Sequence, residues 1–508
     1  MADRETQLQQ VIGLIQSSRP DEAAAILDNL LAADPRDAEA CYLRGFLHLA
    51  GGKAQAAVPL FDRAAPGKQT DPFYHQNFAR ALLGSGDVAR AEVEARQFHT
   101  ARPDIPDASS LLARCLRLLG REAEALPLLA HAAAVSSAMA EVNELGLCLL
   151  ELDRPAEAAD AFRQAAELAA DRFQPWHNLG NALLDQHQPE AAIAAFDRAL
   201  ALAPEDAASR VHRAQALLLL GRYAEGFVEY EWRWRLPATL TLRGGLTTPL
   251  WDGAPLAGRR LLLYAEQGFG DTLQFARFVP MAAQRGGRII LDVPPALHRL
   301  LSGLPGAAQV SRQDAPAPDH DLRLPLMSLP HALGVTVETL PAAPYLPVPD
   351  PGPWAGRLAH LSGRKVGLAW KALAEKRGSA LRSAPLAALS PLFALPGISW
   401  ISLQKDVPAE DRPLPPHMPD VSGHLGDFAD TAALIAGLDL VVTVDTAVAH
   451  LAGAMGKPVW VMLPAGCDWR WLMAREDSPW YPTARLFRLT REAGGAGIAA
   501  ARTRALRA

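Results

Sequence analysis

The sequence predicts an α-helical repeat solenoid followed by an α/β domain of two Rossmann-like halves, and three observations carry that expectation. Up to about Leu236 the chain repeats helical motifs at a period of about 34 residues, the length of a two-helix repeat unit. At Pro237 the helical periodicity stops in a run of breakers, namely Pro237, Gly244, Gly245, Pro249, Gly253, Pro255 and Gly258. Beyond that run, short apolar segments alternate with helix-like stretches, the pattern of βαβ units and a parallel sheet. A length of 508 residues agrees with division into separate cores.

The repeat is fullest from Pro175 to Pro204. Trp176, Leu179, Gly180 and Leu183 lie on one helix, Ala192, Phe196 and Ala199 on the next, and Pro204 closes the unit in tetratricopeptide order. One period earlier, Leu145, Gly146, Leu149, Ala158, Phe162 and Ala165 take the same roles. Looser units place Ala57, Phe61 and Ala64, then Ala125, Leu129 and Ala132, and near the start Ala23, Leu27, Leu30 and Pro35. The expected tetratricopeptide (TPR) solenoid covers residues 1–238 in about six to seven hairpins. A hairpin cannot bury its apolar face alone, so neighbours stack and leave a concave surface for a peptide or partner protein. The last unit keeps Leu217, Gly221, Arg222 and Tyr223 but ends in Tyr230-Glu231-Trp232-Arg233-Trp234-Arg235, side chains that suit docking onto the next domain or stacking on a ligand.

After a linker at 239–258, strands are expected at Arg260 to Tyr264, Arg288 to Val293, Lys365 to Trp370, Ile398 to Leu403, Leu440 to Val444 and Val459 to Leu463. A helix is expected from Asp271 to Gln284 and another from Ala432 to Leu438. The two halves are placed at 259–350 and 364–490, with a tail at 491–508. Open α/β sheets bind ligands at the carboxyl ends of their strands, so the chemistry is sought there.

Composition narrows the function. A formal net charge of −5 gives no basic field for nucleic acid or anionic membrane. The cysteines, Cys41, Cys115, Cys148 and Cys467, lack zinc or disulfide spacing and read as small hydrophobes. The Met-Ala-Asp-Arg start has no signal-peptide run and no later stretch is apolar enough to span a bilayer, which points to the cytoplasm, including peripheral attachment at the inner face of the membrane.

Two strand ends carry candidate chemistry. The first is Ala265-Glu266-Gln267-Gly268-Phe269-Gly270-Asp271-Thr272, where Gly268 and Gly270 permit close backbone approach and the helix start can hold an anion. Asp271 there suits either a helix N-cap or chemistry. The second follows Leu440 to Val444: Asp445-Thr446-Ala447-Val448-Ala449-His450 opens a helix that Gly456 ends. Asp445 and Thr446 stand where dipole and free amides suit a diphosphate, and His450 lies one turn beyond Thr446, facing the same ligand or packed in the core. Further candidates are Lys371, Glu375-Lys376-Arg377-Gly378-Ser379, Arg382-Ser383, Gln404-Lys405 and Phe428. The basic ones suit phosphate or solvent. Asp468-Trp469-Arg470-Trp471 and Trp480-Tyr481 suit a lid or a core. There is no Walker loop, catalytic triad or metal motif.

Taken together, Glu266-Gln267-Gly268-Phe269-Gly270-Asp271, Ser402-Leu403-Gln404-Lys405, Gly426-Asp427-Phe428-Ala429-Asp430-Thr431 and Val444 through His450 resemble bacterial tetratricopeptide proteins with a glycosyltransferase family 9 domain, relatives of the ADP-heptose:lipopolysaccharide heptosyltransferases. The resemblance implies a GT-B-like fold whose C-terminal half holds a nucleotide-sugar and whose N-terminal half presents a glycan or protein acceptor. It implies inversion without metal or cofactor, with Asp271 as general base and Asp445, Thr446, Ala447, Val448 and His450 in the donor loop. Lys371, Arg382, Ser383, Gln404 and Phe428 are expected on the donor side, and Glu266, Gln267, Gly268 and Gly270 in the acceptor or phosphate loop. Family members often run through a Gly-Asn-Pro-type loop after the tryptophan, where this chain has Lys371-Ala372-Leu373-Ala374. Such a change fits a scaffold whose transferase domain has lost catalysis, and helical repeats on a GT-B domain also occur in protein O-glycosyltransferases. The acceptor half is short, which gives the solenoid a part in the acceptor site.

Overall fold

The computed structural model describes residues 2–136, 138–237, 246–372, 383–464 and 466–488. The chain packs as two compact units, Met1–Leu183 and Leu184–Ala508.

The helical part runs α1 (Ala2–Gln16), α2 (Pro20–Ala33), α3 (Ala38–Ala50), α4 (Ala54–Lys68), α5 (Pro72–Ser85), α6 (Val88–Ala101), α7 (Pro106–Leu118), α8 (Glu122–Ser136), α9 (Met139–Glu151), α10 (Pro155–Leu168), α11 (Phe173–Asp185), α12 (Pro189–Leu202), α13 (Ala207–Leu219) and α14 (Tyr223–Tyr230). Proline in the first turn starts α2, α5, α7, α10 and α12, where its missing N–H costs nothing. The Asp37, Asp71, Asp87 and Asp206 carboxylates accept from first-turn amides of α3, α5, α6 and α13. Left-handed residues mark the period: Ser18, Gly52, Gly86, Gly120, Asp153, His187 and Gly221 recur every 33 or 34 residues. Each sits in the short connection between the first and second helix of a repeat, a turn that needs positive φ.

In the first unit the pairs α1/α2, α3/α4, α5/α6, α7/α8 and α9/α10 pack side by side. Ala57, Phe61, Ala64, Ala125, Ala132, Ala158, Phe162 and Ala165, all expected core positions, are fully buried. The small residue on the first helix meets the phenylalanine of the second. A Cβ on Gly146 would lie 2.5 Å from Phe162 Cε1, whereas one on Gly45 would lie 3.2 Å from the Phe61 ring. Gly146→Ala gains about 0.8–1 kcal/mol in helix propensity and loses about 1–3 kcal/mol to overpacking. The expected net is a loss of about 1 kcal/mol in urea denaturation, while Gly45→Ala is expected to be near neutral; equal effects at the two sites would refute this account.

The second unit contains α13 and α14, which pack together, and two parallel sheets. A 3-10 turn, Glu231–Arg235, follows α14. The first sheet has strands β1 (Arg260–Tyr264), β2 (Arg288–Val293), β3 (Ala307–Arg312) and β4 (Leu322–Pro325) in the order β3-β2-β1-β4. Its helices are α15 (Phe269–Phe275), α16 (Val279–Ala283), α17 (Pro295–Leu301) and α18 (Leu329–Leu333). After α19 (Pro353–Leu358) comes the second sheet, β5 (Arg364–Ala369), β6 (Ile398–Ser402), β7 (Leu440–Val444), β8 (Val459–Leu463) and β9 (Ala484–Arg488), ordered β6-β5-β7-β8-β9. Its helices are α20 (Ser390–Phe393), α21 (Phe428–Ala436) and α22 (Ala447–Ala454). The expected α/β architecture of two parallel-sheet halves is therefore present.

The sequence marks a boundary at Pro237, but the packing divides the chain at Leu183/Leu184. The cause is a shared core: Val211, Leu218, Tyr223, Phe227 and Tyr230 are buried in the same cluster as Trp251, Leu261, Leu263 and Phe275. Residues 246–258, read as linker, also belong to the fold, since Trp251 N donates to Arg323 O (2.9 Å) and Leu256 is fully buried. Gly244, Gly245 and the tail at 491–508 lie outside the described residues.

Candidate active site

Both candidate loops lie at carboxyl ends of parallel strands, one after β1 and one after β7, and the helices they open, α15 and α22, pack against each other. Gly270 is the point of closest approach. A Cβ there would come 2.9 Å from His450 Cδ2, 3.5 Å from His450 Nε2 and 3.6 Å from Ala447 Cα. Its glycine thus serves helix-on-helix contact between the halves, where the sequence suggested approach of backbone to ligand. Phe269 and Phe428 meet edge to face with ring centroids 5.1 Å apart. Arg299 of α17 adds a fork onto Asp427 (Nε to Oδ2 2.8 Å) and also reaches Asp430, at the start of α21.

Asp271 occupies the third position of α15, not the N-cap, which is Gly268. Its Oδ2 accepts from the Gly268 amide (2.9 Å), so it does cap the helix, by reaching back. Its Oδ1 is separately held by Arg470 Nη2 at 2.6 Å, and the side chain keeps 19% exposure. Arg470 comes from the 3-10 turn Trp469–Trp471 and also donates to Gln274 Oε1 (2.7 Å) and Asp468 Oδ1 (2.8 Å). Burial disfavours its charge, but Asp468 and Asp271 outweigh that and leave the guanidinium more firmly protonated than usual. Burial likewise pushes Asp468 up, yet Arg470 beside it holds the carboxyl below its ordinary range.

On the other side Thr446 is the N-cap of α22, its Oγ1 3.1 Å from Thr443 Oγ1, and Ala447 and Val448 form the first turn, half-buried. Asp445 is buried. Of the two roles open to His450, the structure shows the packed one: Nδ1 is 2.9 Å from the Tyr481 hydroxyl and the ring stacks on Trp471 at 5.5 Å. Burial, reinforced by Arg470, pushes its pKa down to about 3, so the imidazole is neutral near pH 7. Trp471, Trp480 and Tyr481 are buried at 1% exposure or less, which makes them core and not a lid.

The remaining candidates are mostly engaged by the fold. Glu266 forms a buried fork with Arg233 (2.9 and 3.0 Å) and accepts from Met327 N. Gln267 Nε2 donates to Tyr230 Oη at 3.3 Å. The aromatic and arginine run after α14 therefore docks onto the first loop. Gln404 clamps the chain after β5, its Oε1 accepting from Lys371 N (3.1 Å) and its Nε2 donating to Lys371 O (3.2 Å). Lys371 Nζ pairs with Glu410, and Ser383 Oγ accepts from Ala372 N (3.1 Å). Arg382, with Glu375 to Ser379, lies outside the described residues. Arg470 was within a motif noted in the sequence, but nothing local linked it to an aspartate 199 positions away.

The fold and these loops define a tetratricopeptide solenoid joined to a glycosyltransferase-type α/β domain. The family model for tetratricopeptide repeats matches residues 8–72, 77–140 and 177–234, and that for glycosyltransferase family 9 (heptosyltransferase) matches residues 418–462. The latter span holds the Asp427 to Asp430 and Asp445 to His450 segments and leaves Asp271 outside. Protein FlbA of Caulobacter vibrioides is 31% identical over 430 residues, covering 77% of this chain and 71% of that protein. The chain belongs to the family that includes FlbA, as a tetratricopeptide protein with a glycosyltransferase family 9-like domain. Among solved structures, YrrB, described as a TPR protein with an unusual peptide-binding site, is 17% identical over 36% of this chain and 95% of its own, with a TM-score of 0.32. MamA from Desulfovibrio magneticus RS-1 is 20% identical over 33% of this chain and 96% of its own, also with a TM-score of 0.32. Among the described residues no helix is long and apolar enough to cross a membrane.

Proposed function

We propose that the chain is an inverting, metal-independent glycosyltransferase that moves a sugar from a nucleotide-sugar to a glycan or protein acceptor in the cytoplasm, its repeats recruiting the acceptor or a partner. The observation that carries this reading is the meeting of the two strand-end loops at Gly270. It brings α15, the helix that carries Asp271, against the start of α22, whose first-turn amides and dipole suit a leaving diphosphate. Residues 259–350 form the acceptor half and 364–490 the donor half.

In this mechanism Asp271 takes the proton of an acceptor hydroxyl as the oxygen attacks the anomeric carbon. The bond from that carbon to the diphosphate breaks from the opposite side, and the diphosphate leaves with the electron pair. Thr446, Ala447 and Val448 receive the diphosphate, while neutral His450, fixed by Tyr481 and Trp471, shapes the wall between the halves without taking the proton. Phe428 and Phe269 close the cleft beside it. Tetratricopeptide solenoids bind peptides and proteins along their concave surface, which suits acceptor recruitment.

Incubation with a panel of nucleotide-sugars, read as nucleoside diphosphate release and donor binding, tests the reading. Release that depends on acceptor supports it. Neither release nor binding with any donor would leave a non-catalytic scaffold as the better account.

A further inference from the structure

The Asp271 carboxylate is held from two directions, by the Gly268 amide on Oδ2 and by Arg470 on Oδ1. Arg470 is in turn fixed at all three nitrogens: Nε on Gln274, Nη1 on Asp468, Nη2 on Asp271. The two partners other than Asp271 are of opposite use. Gln274 lies one turn along α15 from Asp271 and fixes the guanidinium plane relative to that helix. Asp468 supplies a carboxylate that balances the Arg470 charge.

We propose that Arg470 is a positioning residue for the sugar-transfer reaction, holding the Asp271 carboxylate oriented so that it meets the acceptor hydroxyl in one geometry. This rests on the reading of Asp271 as the general base. A flexible carboxylate on a short helix samples several rotamers, and a displacement of about 1 Å in a reacting group can cost roughly 100-fold in rate.

The experiment measures kcat and KM for the acceptor at saturating donor, with full-length wild type, Arg470→Gln and Arg470→Lys. In Arg470→Gln kcat is expected to fall by about 100-fold while the acceptor KM stays within about twofold. Arg470→Lys restores a donor to Asp271 without the fork, so it is expected to recover part of that loss, with kcat about 10-fold below wild type. Donor affinity stays within about twofold throughout, and thermal melts correct each rate for folded fraction. A wild-type kcat in Arg470→Gln, or a loss confined to KM or to the folded fraction, would overturn the role of Arg470 while leaving the transferase reading intact. A wild type that transfers no sugar would overturn both.

Discussion

Asp271→Asn is expected to lower kcat for sugar transfer by about 10²- to 10⁴-fold, the share that a positioned general base contributes, while donor binding by calorimetry stays within about twofold. The substitution removes the basic oxygen but keeps the side chain's size, so the cleft keeps its shape. It is not innocent locally, because both Asp271 oxygens accept hydrogen bonds, one from Gly268 and one from Arg470. An asparagine must turn its amino group toward one of these donors. A small loss of stability therefore accompanies the loss of rate, and the two are separated by measuring kcat on the folded fraction. Transfer at the wild-type rate would return Asp271 to the capping role that the Gly268 contact already documents. Donor binding lost together with rate would instead place the residue in the donor site.

The fold was legible wherever periodicity repeated or strands were buried on both faces. Arg288–Val293, Leu440–Val444 and Val459–Leu463 carry near-continuous apolar runs because helices cover the faces of a parallel sheet, and their limits coincide with the expected ones. Three strands gave no such signal. Ala307–Arg312 lies at a sheet edge and is largely exposed, Leu322–Pro325 has four residues, and Ala484–Arg488 is a second edge strand that alternates with polar residues. The seven left-handed turn residues were a stronger period marker than the loosened apolar positions, but three of them are Ser18, Asp153 and His187, so glycine spacing alone shows only part of the series.

At the site, strand ends and helix starts pointed to Asp271 and to the Asp445 to His450 loop, since those features are local in sequence. What sequence could not give was the pairing across distance. Glu266 sits in the same glycine-bearing motif as Asp271, yet a buried arginine 33 positions earlier claims it. Gln404 looked like a donor contact because it follows a strand end, but its amide satisfies the backbone of the chain leaving the neighbouring strand. Residues of the right type at the right strand end are thus divided, by long-range contacts alone, between those that support the fold, such as Glu266 and Gln404, and the rest.

That division gives the largest expected stability effect to Arg233. It is 2% exposed and donates to both oxygens of Glu266, to the Ser328 hydroxyl (2.7 Å), to Glu231 (2.7 Å) and to the Tyr230 carbonyl (3.1 Å). Burial already pushes the Glu266 carboxyl above its ordinary range, with Arg233 opposing that shift. Arg233→Met removes the opposing charge and leaves Glu266 with the Met327 amide, at an expected cost of about 3–5 kcal/mol. A carboxyl whose folded pKa lies above its unfolded value stabilises the protein below the unfolded pKa and loses that contribution as pH rises through the folded one. The deficit of Arg233→Met should therefore be smallest near pH 5 and widen toward pH 8 in guanidinium denaturation. Adding Glu266→Leu should recover part of it and remove the pH dependence, because two apolar side chains leave no unpaired buried charge. A fragment beginning at residue 246 lacks Arg233 and the buried faces of α13 and α14, and it is expected not to fold. A double variant no more stable than Arg233→Met, or a cooperative unfolding transition in that fragment, would show that the last repeat is an attachment to the α/β domain and not a part of its core.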